Sequence, residues 1–257
     1  MNRVLYKFGP IRDEYFENRL VRITPRTALN DPYEFYPVEA DLNRMRNTIP
    51  TMPVGKFNIH DSFLIDGHFN CMGVISFTES IDNFLMWSHY GDEHRGVAIE
   101  YDANHDFFKD ARPVDYSEKR VKEIAFKETQ GELVFCDDVF FKKSKDWIYE
   151  NEWRIADSLI TCDCLIKEVN IDGKSEKNYE WHPNRVDQYP WEKPGLYMKQ
   201  IPSEAIRSIT FGCRVSQDEM IRICNIINNK PEISHMKKYK IKLDLNEYKY
   251  IFEEISL

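Results

Sequence analysis

The sequence lacks the features that mark membrane and secreted proteins. It has no run of about 18 apolar residues, which argues against a membrane-spanning helix. The amino terminus, MNRVLYKFGP, lacks the long apolar core of a secretory signal. We therefore expect a cytoplasmic protein with no membrane partner.

Cysteine is scarce and shows no paired spacing. The chain has six cysteines in 257 residues, and no Cys-x-x-Cys pair occurs. Cys162 and Cys164 are close, but on one strand they would face opposite sides. Free buried thiols in a reducing compartment are the expected state.

Glycine-rich phosphate loops and an excess of basic residues are also missing. Neither GxGxxG nor GxxxxGK occurs, and no internal repeat is found. The formal net charge is -8, which disfavours general nucleic-acid binding because phosphate neutralisation drives that affinity. The local basic segment is interpreted as an edge strand protected by lysines. It contains Lys237, Lys238, Lys240 and Lys242.

Apolar residues, in contrast, are plentiful. Hydrophobic residues make up 42% of the chain and aromatic residues 14%, so a sizeable core is available. No linker is evident, and we predict a single domain over residues 1–257. The predicted strands and helices do not alternate as regular βαβ units. This order favours an α+β fold with a mixed, mostly antiparallel sheet and peripheral helices.

Several local patterns give testable expectations. The segment Glu118–Lys143 predicts mostly helix, and Asp172–Pro194 predicts a long polar loop. Ser216 is expected to cap a late helix by accepting from its free backbone N–H groups. Tyr239–Leu243 and Glu247–Phe252 predict a terminal hairpin.

The segment KDWIYENEWRI is one candidate site. If it is extended, Glu150, Glu152 and Arg154 share one face of a strand, and aromatic residues alternate with them. Two ionised carboxylates this close repel each other, so Arg154 would offset their charge or one carboxylate would hold a proton. A solvated strand face is the alternative, and the flanking aromatic residues favour a cleft over it.

The second candidate lies in Val74–Glu100, which predicts a strand, a short helix and another strand. His89 and Tyr90 are about 100° apart on the helix, so both can border one cavity. Trp87 precedes them and His94 follows the predicted end of the helix. A packed core cluster is the alternative interpretation.

Metal binding is a competing interpretation of the same histidines. His89 and His94 are five residues apart, so they do not share one helical face at a typical zinc spacing. Because no ligand set has a strong spacing, no metal site is predicted. The two sets considered are His89, His94 and Glu93, and His60, His68 and Cys71.

Five stretches of the sequence carry a resemblance: LYKF at Leu5–Phe8, LNDPYE at Leu29–Glu34, VISFTE at Val74–Glu79, MWSHYGDEHRGVAIEYD at Met86–Asp102 and KDWIYENEWR at Lys145–Arg154. Together they resemble a bacterial family known as domain of unknown function 2971. The similarity runs over nearly the whole chain. The family name itself implies no activity.

More distantly, the order of the elements resembles the ADP-ribosyltransferase fold. A first strand, a loop with Asn-Asp-Pro, a strand with Ser-Phe-Thr, a helix with a tyrosine and a late glutamate follow one another. This resemblance implies a split sheet and NAD as the substrate. It also implies transfer of ADP-ribose to a macromolecule or to water, and no metal.

The resemblance implies catalytic roles for particular residues. Glu152 would accept a hydrogen bond from the nicotinamide-ribose 2′-hydroxyl and favour the positive charge that develops as nicotinamide leaves. Glu150 would orient the acceptor, and Tyr90 would stack on the nicotinamide ring. His89, which lies beside Tyr90, completes this set of candidates.

Candidates for binding NAD come from the remaining stretches. Lys7 or Tyr6 would take the place of the basic or histidine residue that holds the dinucleotide, and Ser76 and Thr78 would border the nicotinamide. Asn30 and Asp31 before Pro32 also form a turn signal. The full set is Tyr6, Lys7, Asn30, Asp31, Ser76, Thr78, Trp87, His94 and Arg154.

The leading hypothesis is an intracellular bacterial ADP-ribosyltransferase-like enzyme, with a toxin or a phage-defence effector as the setting. The first alternative is a nucleotide- or nucleic-acid-binding module without catalysis, in which aromatic residues such as Trp87, Tyr90 and Trp147 stack on bases. The second alternative is a metal-dependent hydrolase or nuclease. Its residues would be His89, His94, Asp92 and Glu152.

Overall fold

The structure is a computed structural model that describes residues 3–48, 69–120, 126–129, 132–135, 137–171, 174–183 and 195–255. The strands are β1 Val4–Gly9, β2 Leu20–Pro25, β3 Met72–Thr78, β4 Val97–Asp102, β5 Arg112–Pro113, β6 Asp115–Ser117, β7 Phe126–Thr129, β8 Glu132–Phe135, β9 Lys142–Ser144, β10 Glu152–Ser158, β11 Cys164–Ile171, β12 Lys174–Trp181, β13 Leu196–Gln200, β14 Ile206–Phe211, β15 Lys237–Leu243 and β16 Tyr250–Glu254. The α-helices are α1 Asp13–Asn18, α2 Glu39–Thr48, α3 Phe84–His89 and α4 Gln217–Asn228. The 3-10 helices are Arg26–Ala28, Asp106–Phe108, Asp137–Phe141, Lys145–Glu150, Leu159–Thr161 and Ser203–Ala205.

One large sheet organises the fold. Ten of its 12 strands follow the order β12-β11-β13-β2-β3-β1-β4-β14-β15-β16. Of the other two, β10 pairs with β3, and β5 pairs with β10. The pairings within this sheet are antiparallel except for β14 with β15. The few helices lie between strands in the chain. The predicted α+β class with a mixed, mostly antiparallel sheet is therefore confirmed.

The sheet is split between β1 and β2. Within the described strands these two do not pair with each other, and β3 bridges them. Tyr6 of β1 pairs with Thr78 at one end of β3, and Thr24 of β2 pairs with Val74 toward the other end. Two cavities open along the gap that this arrangement leaves.

The pairing of β3 with β10 sets which residues share a face. Residues directly opposite each other in an antiparallel pair point to the same side of the sheet. Thr78 lies opposite Glu152, and Ser76 lies opposite Arg154, so these four side chains share one face. Alternate residues of both strands, such as Ile75, enter the main core on the other face. The register therefore delivers a polar patch onto the face beside the split.

The carboxyl-terminal elements agree with their sequence patterns. The hydroxyl of Ser216 accepts from the backbone N–H of Glu219 at 3.2 Å, which satisfies one of the free donors at the start of α4. The inward side of this helix is buried. β15 and β16 pair antiparallel, as predicted for the terminal hairpin.

Two secondary-structure predictions were wrong. The described part of Glu118–Lys143 holds no α-helix: it contains β7 paired with β8, a 3-10 helix and part of β9. The predicted loop Asp172–Pro194 contains β12, which pairs along β11. The side chains of β12 are almost all exposed, so the strand has no apolar alternation to reveal it. Residues 184–194 lie outside the described residues.

Replacing glycine by alanine is expected to have opposite effects on stability at Gly212 and at Gly9. A Cβ at Gly212 would lie 2.2 Å from the backbone oxygen of His94, whereas a Cβ at Gly9 meets nothing within 4 Å. We expect Gly212→Ala to lower the free energy of unfolding by about 1–3 kcal/mol, because one backbone must move away from the other. Gly9→Ala should be neutral or slightly stabilising. Urea unfolding followed by circular dichroism measures both, and equal effects would contradict the expectation.

Candidate functional site

A turn between a 3-10 helix and β10 places two glutamates side by side. Glu150 ends the helix and Glu152 begins the strand, while Asn151 between them has a φ of 43°. Asparagine tolerates this left-handed region better than most residues. The prediction that Glu150 and Glu152 lie on one extended strand is therefore wrong. The turn still directs both carboxylates to one buried amine, that of Lys143.

Three carboxylates and two cations form a buried ion network. The Nζ of Lys143 lies 2.5 Å from Glu150 Oε2, 3.3 Å from Glu152 Oε2 and 3.3 Å from Glu34 Oε1. Arg154 grips Glu152 with two hydrogen bonds, from Nε at 2.7 Å and Nη2 at 2.8 Å, and also donates to Glu34. All five side chains are buried. With every group ionised, the network carries one excess negative charge.

The network gives its two central glutamates different acidities. Burial opposes the ionisation of Glu152, but Arg154 and Lys143 outweigh it and hold the pKa of this carboxyl at about 2. Burial raises the pKa of Glu150, and the charge of Glu152 adds to this effect against the attraction of Lys143. Glu152 is thus held as an anion, and Glu150 takes up a proton first as the pH falls.

Tyr90 connects α3 to this network. Its hydroxyl donates to Glu150 and accepts from Asn30 Nδ2 at 2.8 Å. Burial and the charge of Glu150 raise the pKa of Tyr90 far above its usual range, so the hydroxyl keeps its proton. Asn83 positions the helix, because its side chain caps the first turn and donates to the Tyr149 carbonyl at 2.8 Å.

A cavity of about 240 Å³ borders the network at the point where β3 bridges the split. Most of the site residues predicted from the sequence line this cavity. Those that line it are Tyr6, Lys7, Asn30, Ser76, Thr78, Tyr90, Glu150, Glu152 and Arg154.

Strands β1 and β3 supply further polar side chains to the walls of this cavity. The Nζ of Lys7 donates to the Ser76 carbonyl at 2.8 Å. The hydroxyl of Thr78 donates to the Glu150 carbonyl at 2.6 Å, which ties the 3-10 helix to the end of β3. The hydroxyl of Ser76 bonds to Glu152 and helps to lower its pKa. Each of these side chains therefore fixes a part of the network.

Trp87 and His94 do not line this cavity, contrary to expectation. Trp87 is fully buried and packs edge-on against Phe8, with ring centroids 4.8 Å apart. His94 lies beside Tyr250, whose hydroxyl is 3.3 Å from Nδ1 of the imidazole. Trp87 shares a core cluster with Ile241 and Tyr250, and His94 contacts Tyr250, so both belong to the packing between α3 and the terminal hairpin.

Asp31 and His89 also lie outside the cavity lining. Asp31 is buried and accepts from the backbone N–H of Tyr33 at 2.9 Å, which closes the turn that its sequence predicts. His89 is exposed, and its ring centroid lies 6.1 Å from that of Tyr149. His89 thus stands on the outer surface next to the site.

Sequence reasoning missed three charged residues of the site. Glu34 ends the quoted LNDPYE stretch, yet its local context gives only a turn. Lys143 lies in the run FFKKSK, where a solvated lysine is the ordinary interpretation. Arg22 on β2 lines the same cavity and alternates with buried apolar residues. This alternation was the one usable signal, because it marks Arg22 as pointing away from the main core.

The described ranges contain neither a metal-ligating cluster nor a membrane-spanning helix. Those ranges hold no group of three or more His, Cys, Asp or Glu side chains that could bind a metal ion. His60 and His68 of the second ligand set lie outside the described residues. None of the described helices has both the length and the apolar character needed to cross a bilayer.

The fold and the site define an α+β protein whose split sheet holds a polar cavity next to a buried ion network. Residues 86–155 match the sequence model of a family described as Protein of unknown function (DUF2971). This match supports the family resemblance, and it contains every member of the ion network except Glu34. Neither the curated proteins nor the solved structures gave a match.

The lowered pKa of Glu152 predicts how stability depends on pH. Its folded-state pKa is about 2, against 4.5 for an ordinary glutamate. The stabilisation is therefore present above pH 4.5 and is lost as the pH falls toward 2. Protonation of Glu152 should cost the wild type on the order of 3 kcal/mol of unfolding free energy over this pH range. Glu152→Gln should not show this loss. Urea unfolding at a series of pH values tests this, and a variant with an unchanged acid slope would contradict it.

Proposed function

We propose that this protein is an ADP-ribosyltransferase-like enzyme that cleaves NAD and transfers ADP-ribose to a macromolecule or to water. One observation carries the proposal: the Tyr90 hydroxyl donates to Glu150 on the wall of a cavity that Glu152 also lines. These two partners are 60 positions apart in the chain. The split between β1 and β2 adds support, because the ADP-ribosyltransferase fold has a split sheet.

The arrangement suits cleavage of the bond between nicotinamide and ribose. As neutral nicotinamide leaves, positive charge develops on the ribose. Glu152 is kept ionised by Arg154, so a carboxylate in this place would stabilise the charged transition state more than the ground state. Glu150, the more basic of the two glutamates, would accept the proton of the attacking water or hydroxyl group.

Tyr90 would define the nicotinamide end of the cavity. Its ring borders the cavity, and its hydroxyl is held from two sides by Asn30 and Glu150. A ring fixed in this way can stack on a planar pyridine and set its direction, for about 1 kcal/mol. Lys7 and Ser76 would form the opposite wall.

The test is release of nicotinamide from NAD. The purified chain is incubated with NAD, alone and with a cell extract, and the products are separated by chromatography. We expect nicotinamide and either ADP-ribose or a labelled macromolecule. The exposed-residue variant Glu253→Gln serves as the matched control and should release nicotinamide like the wild type. If neither free nor transferred ADP-ribose forms under either condition, the proposal is wrong.

A binding module without catalysis is the second candidate, and one contact favours it. Both carboxylate oxygens of Glu152 are already engaged by Arg154, which leaves this group less free to meet a ribose hydroxyl. Three rings on the outer surface would stack on a base. His89, Tyr149 and Trp147 have successive centroid distances of 6.1 and 6.1 Å. Saturable nucleotide binding with no turnover identifies this case.

A further inference from the structure

A second cavity adjoins the candidate site. Its volume is about 190 Å³, and it lies in the gap between β1 and β2. Its lining shares Lys7, Phe8 and Arg22 with the cavity beside Tyr90. The two cavities therefore border each other at these three side chains.

The junction between the cavities carries cations that form no salt bridge within the described residues. Arg12 also lines the second cavity. In the part of the chain that the structure describes, Arg12 and Arg22 form no ion pair, and the Nε of Arg22 is buried with no hydrogen-bond partner. Glu14 lies in the same cavity. Its carboxylate is paired with Lys177, and the charge of Arg12 also helps to lower its pKa. Arg154, in contrast, is neutralised by two carboxylates, those of Glu34 and Glu152.

The cations at this junction repel one another. Burial lowers the pKa of Lys7 to about 8, and the charges of Arg12 and Arg22 act in the same direction, while Glu152 opposes them. Burial and Arg12 together lower the pKa of Arg22. Like charges held close in a partly buried place cost free energy, and an anion bound between them would offset that cost.

The rest of the second cavity is apolar. Its walls come from β2, β4, β11 and β13, on both sides of the gap. An apolar slot with polar groups at one end is typical of sites that hold a flat ring and orient it. Its wall residues include Val21, Val97, Ile99, Tyr101, Leu196 and Met198.

We propose that Lys7, Arg12 and Arg22 bind the diphosphate of a nucleoside diphosphate whose base enters the apolar cavity between β1 and β2. Guanidinium groups match phosphate oxygens in charge and in geometry. In a dinucleotide the other half would extend into the cavity of Tyr90 and Glu150. This last placement rests on the proposed function, whereas the diphosphate site itself does not.

The test compares three ligands on the full chain by titration calorimetry: ADP, adenosine and inorganic pyrophosphate. We expect ADP to bind about 10- to 100-fold more tightly than adenosine, because charge-assisted hydrogen bonds to phosphate are lost with the nucleoside. The double variant R12Q/R22Q should lose this difference. Arg95→Gln, an exposed arginine on the turn before β4, is the control and should bind ADP like the wild type. Leu196→Trp narrows the apolar slot and should weaken ADP while leaving pyrophosphate unchanged.

Two sets of outcomes overturn the proposal. It fails if ADP binds no better than adenosine, or if R12Q/R22Q keeps the affinity of the wild type. It also fails if a short single-stranded oligonucleotide binds in preference to ADP. Binding of ADP without any nicotinamide release would support this site and remove the enzymatic proposal. Release of nicotinamide with an unchanged KM for NAD in R12Q/R22Q would do the reverse.

Discussion

Glu152→Gln is expected to slow nicotinamide release by about 10²- to 10³-fold, which corresponds to about 2.7–4 kcal/mol of lost transition-state stabilisation. The substitution keeps the size of the side chain and removes its negative charge. Arg154 holds that charge in place, so no reorganisation is needed when the ribose becomes positive. Initial rates at saturating NAD measure the effect directly.

Glu34→Gln is the matched control for this experiment. Glu34 contacts the same two cations as Glu152, namely Lys143 and Arg154, so its substitution disturbs the ion network in a similar way. We expect it to reduce the rate less than Glu152→Gln. Circular dichroism of both variants verifies that they are folded. Equal losses in the two variants would show that the network, and not the position of Glu152, is what the reaction requires.

Arg154→Met is expected to lower the free energy of unfolding by about 3–5 kcal/mol. The guanidinium is fully buried and bonds to two carboxylates, those of Glu34 and Glu152. Removing it leaves both acids with only Lys143 to balance them, and burying unpaired charge is costly. Urea unfolding at neutral pH measures the change.

Arg222→Met supplies the comparison. Arg222 also has two acidic partners, Asp13 and Glu219, but its side chain is 42% exposed. Water screens both ion pairs of Arg222, so we expect Arg222→Met to lower the free energy of unfolding by about 0–1 kcal/mol. Similar losses for Arg154→Met and Arg222→Met would contradict the assignment of a buried network.

A triple variant separates lost charge balance from lost packing. R154M/E34Q/E152Q removes the acids that Arg154 neutralises, so it should recover a part of the stability that Arg154→Met loses. If it is instead less stable than Arg154→Met, the pairing of Glu34 and Glu152 with Lys143 outweighs the cost of their excess charge, and the loss in Arg154→Met is one of packing. This comparison is made in the same urea series.

Some parts of the site follow from local sequence. Ser216 precedes α4 at a position where its side chain is predicted to accept from a free backbone N–H group, and it does so. The strand pattern around Ser76 and Thr78 predicts β3, and the short helix ends beside Tyr90. These features depend on residues within a few positions of one another, and a single sequence reports such short-range preferences well.

Other parts depend on which strands become neighbours. Lys143 resembles one more lysine in a basic run. Only the tertiary packing of β9, which pairs with β6, brings its amine to three carboxylates. β12 was not predicted, for a related reason. Nearly all of its side chains are exposed, so its sequence shows no alternation of apolar and polar residues. The register of paired strands and the connections between them decide which residues neutralise a buried charge. Neither can be read from residues that are adjacent in the chain.

The sequence by itself determined the class of the fold, the absence of a glycine-rich phosphate loop, and the elements that carry Tyr90 and Glu152. The tertiary structure alone decided that these residues meet at one cavity and that Trp87 and His94 pack elsewhere. It also decided that the adjoining gap is lined by two arginines that form no ion pair with any described residue. The reason is physical. Periodicity and capping act between near neighbours in the chain, whereas the electrostatics of a buried site depend on distances that are set when separate strands pair.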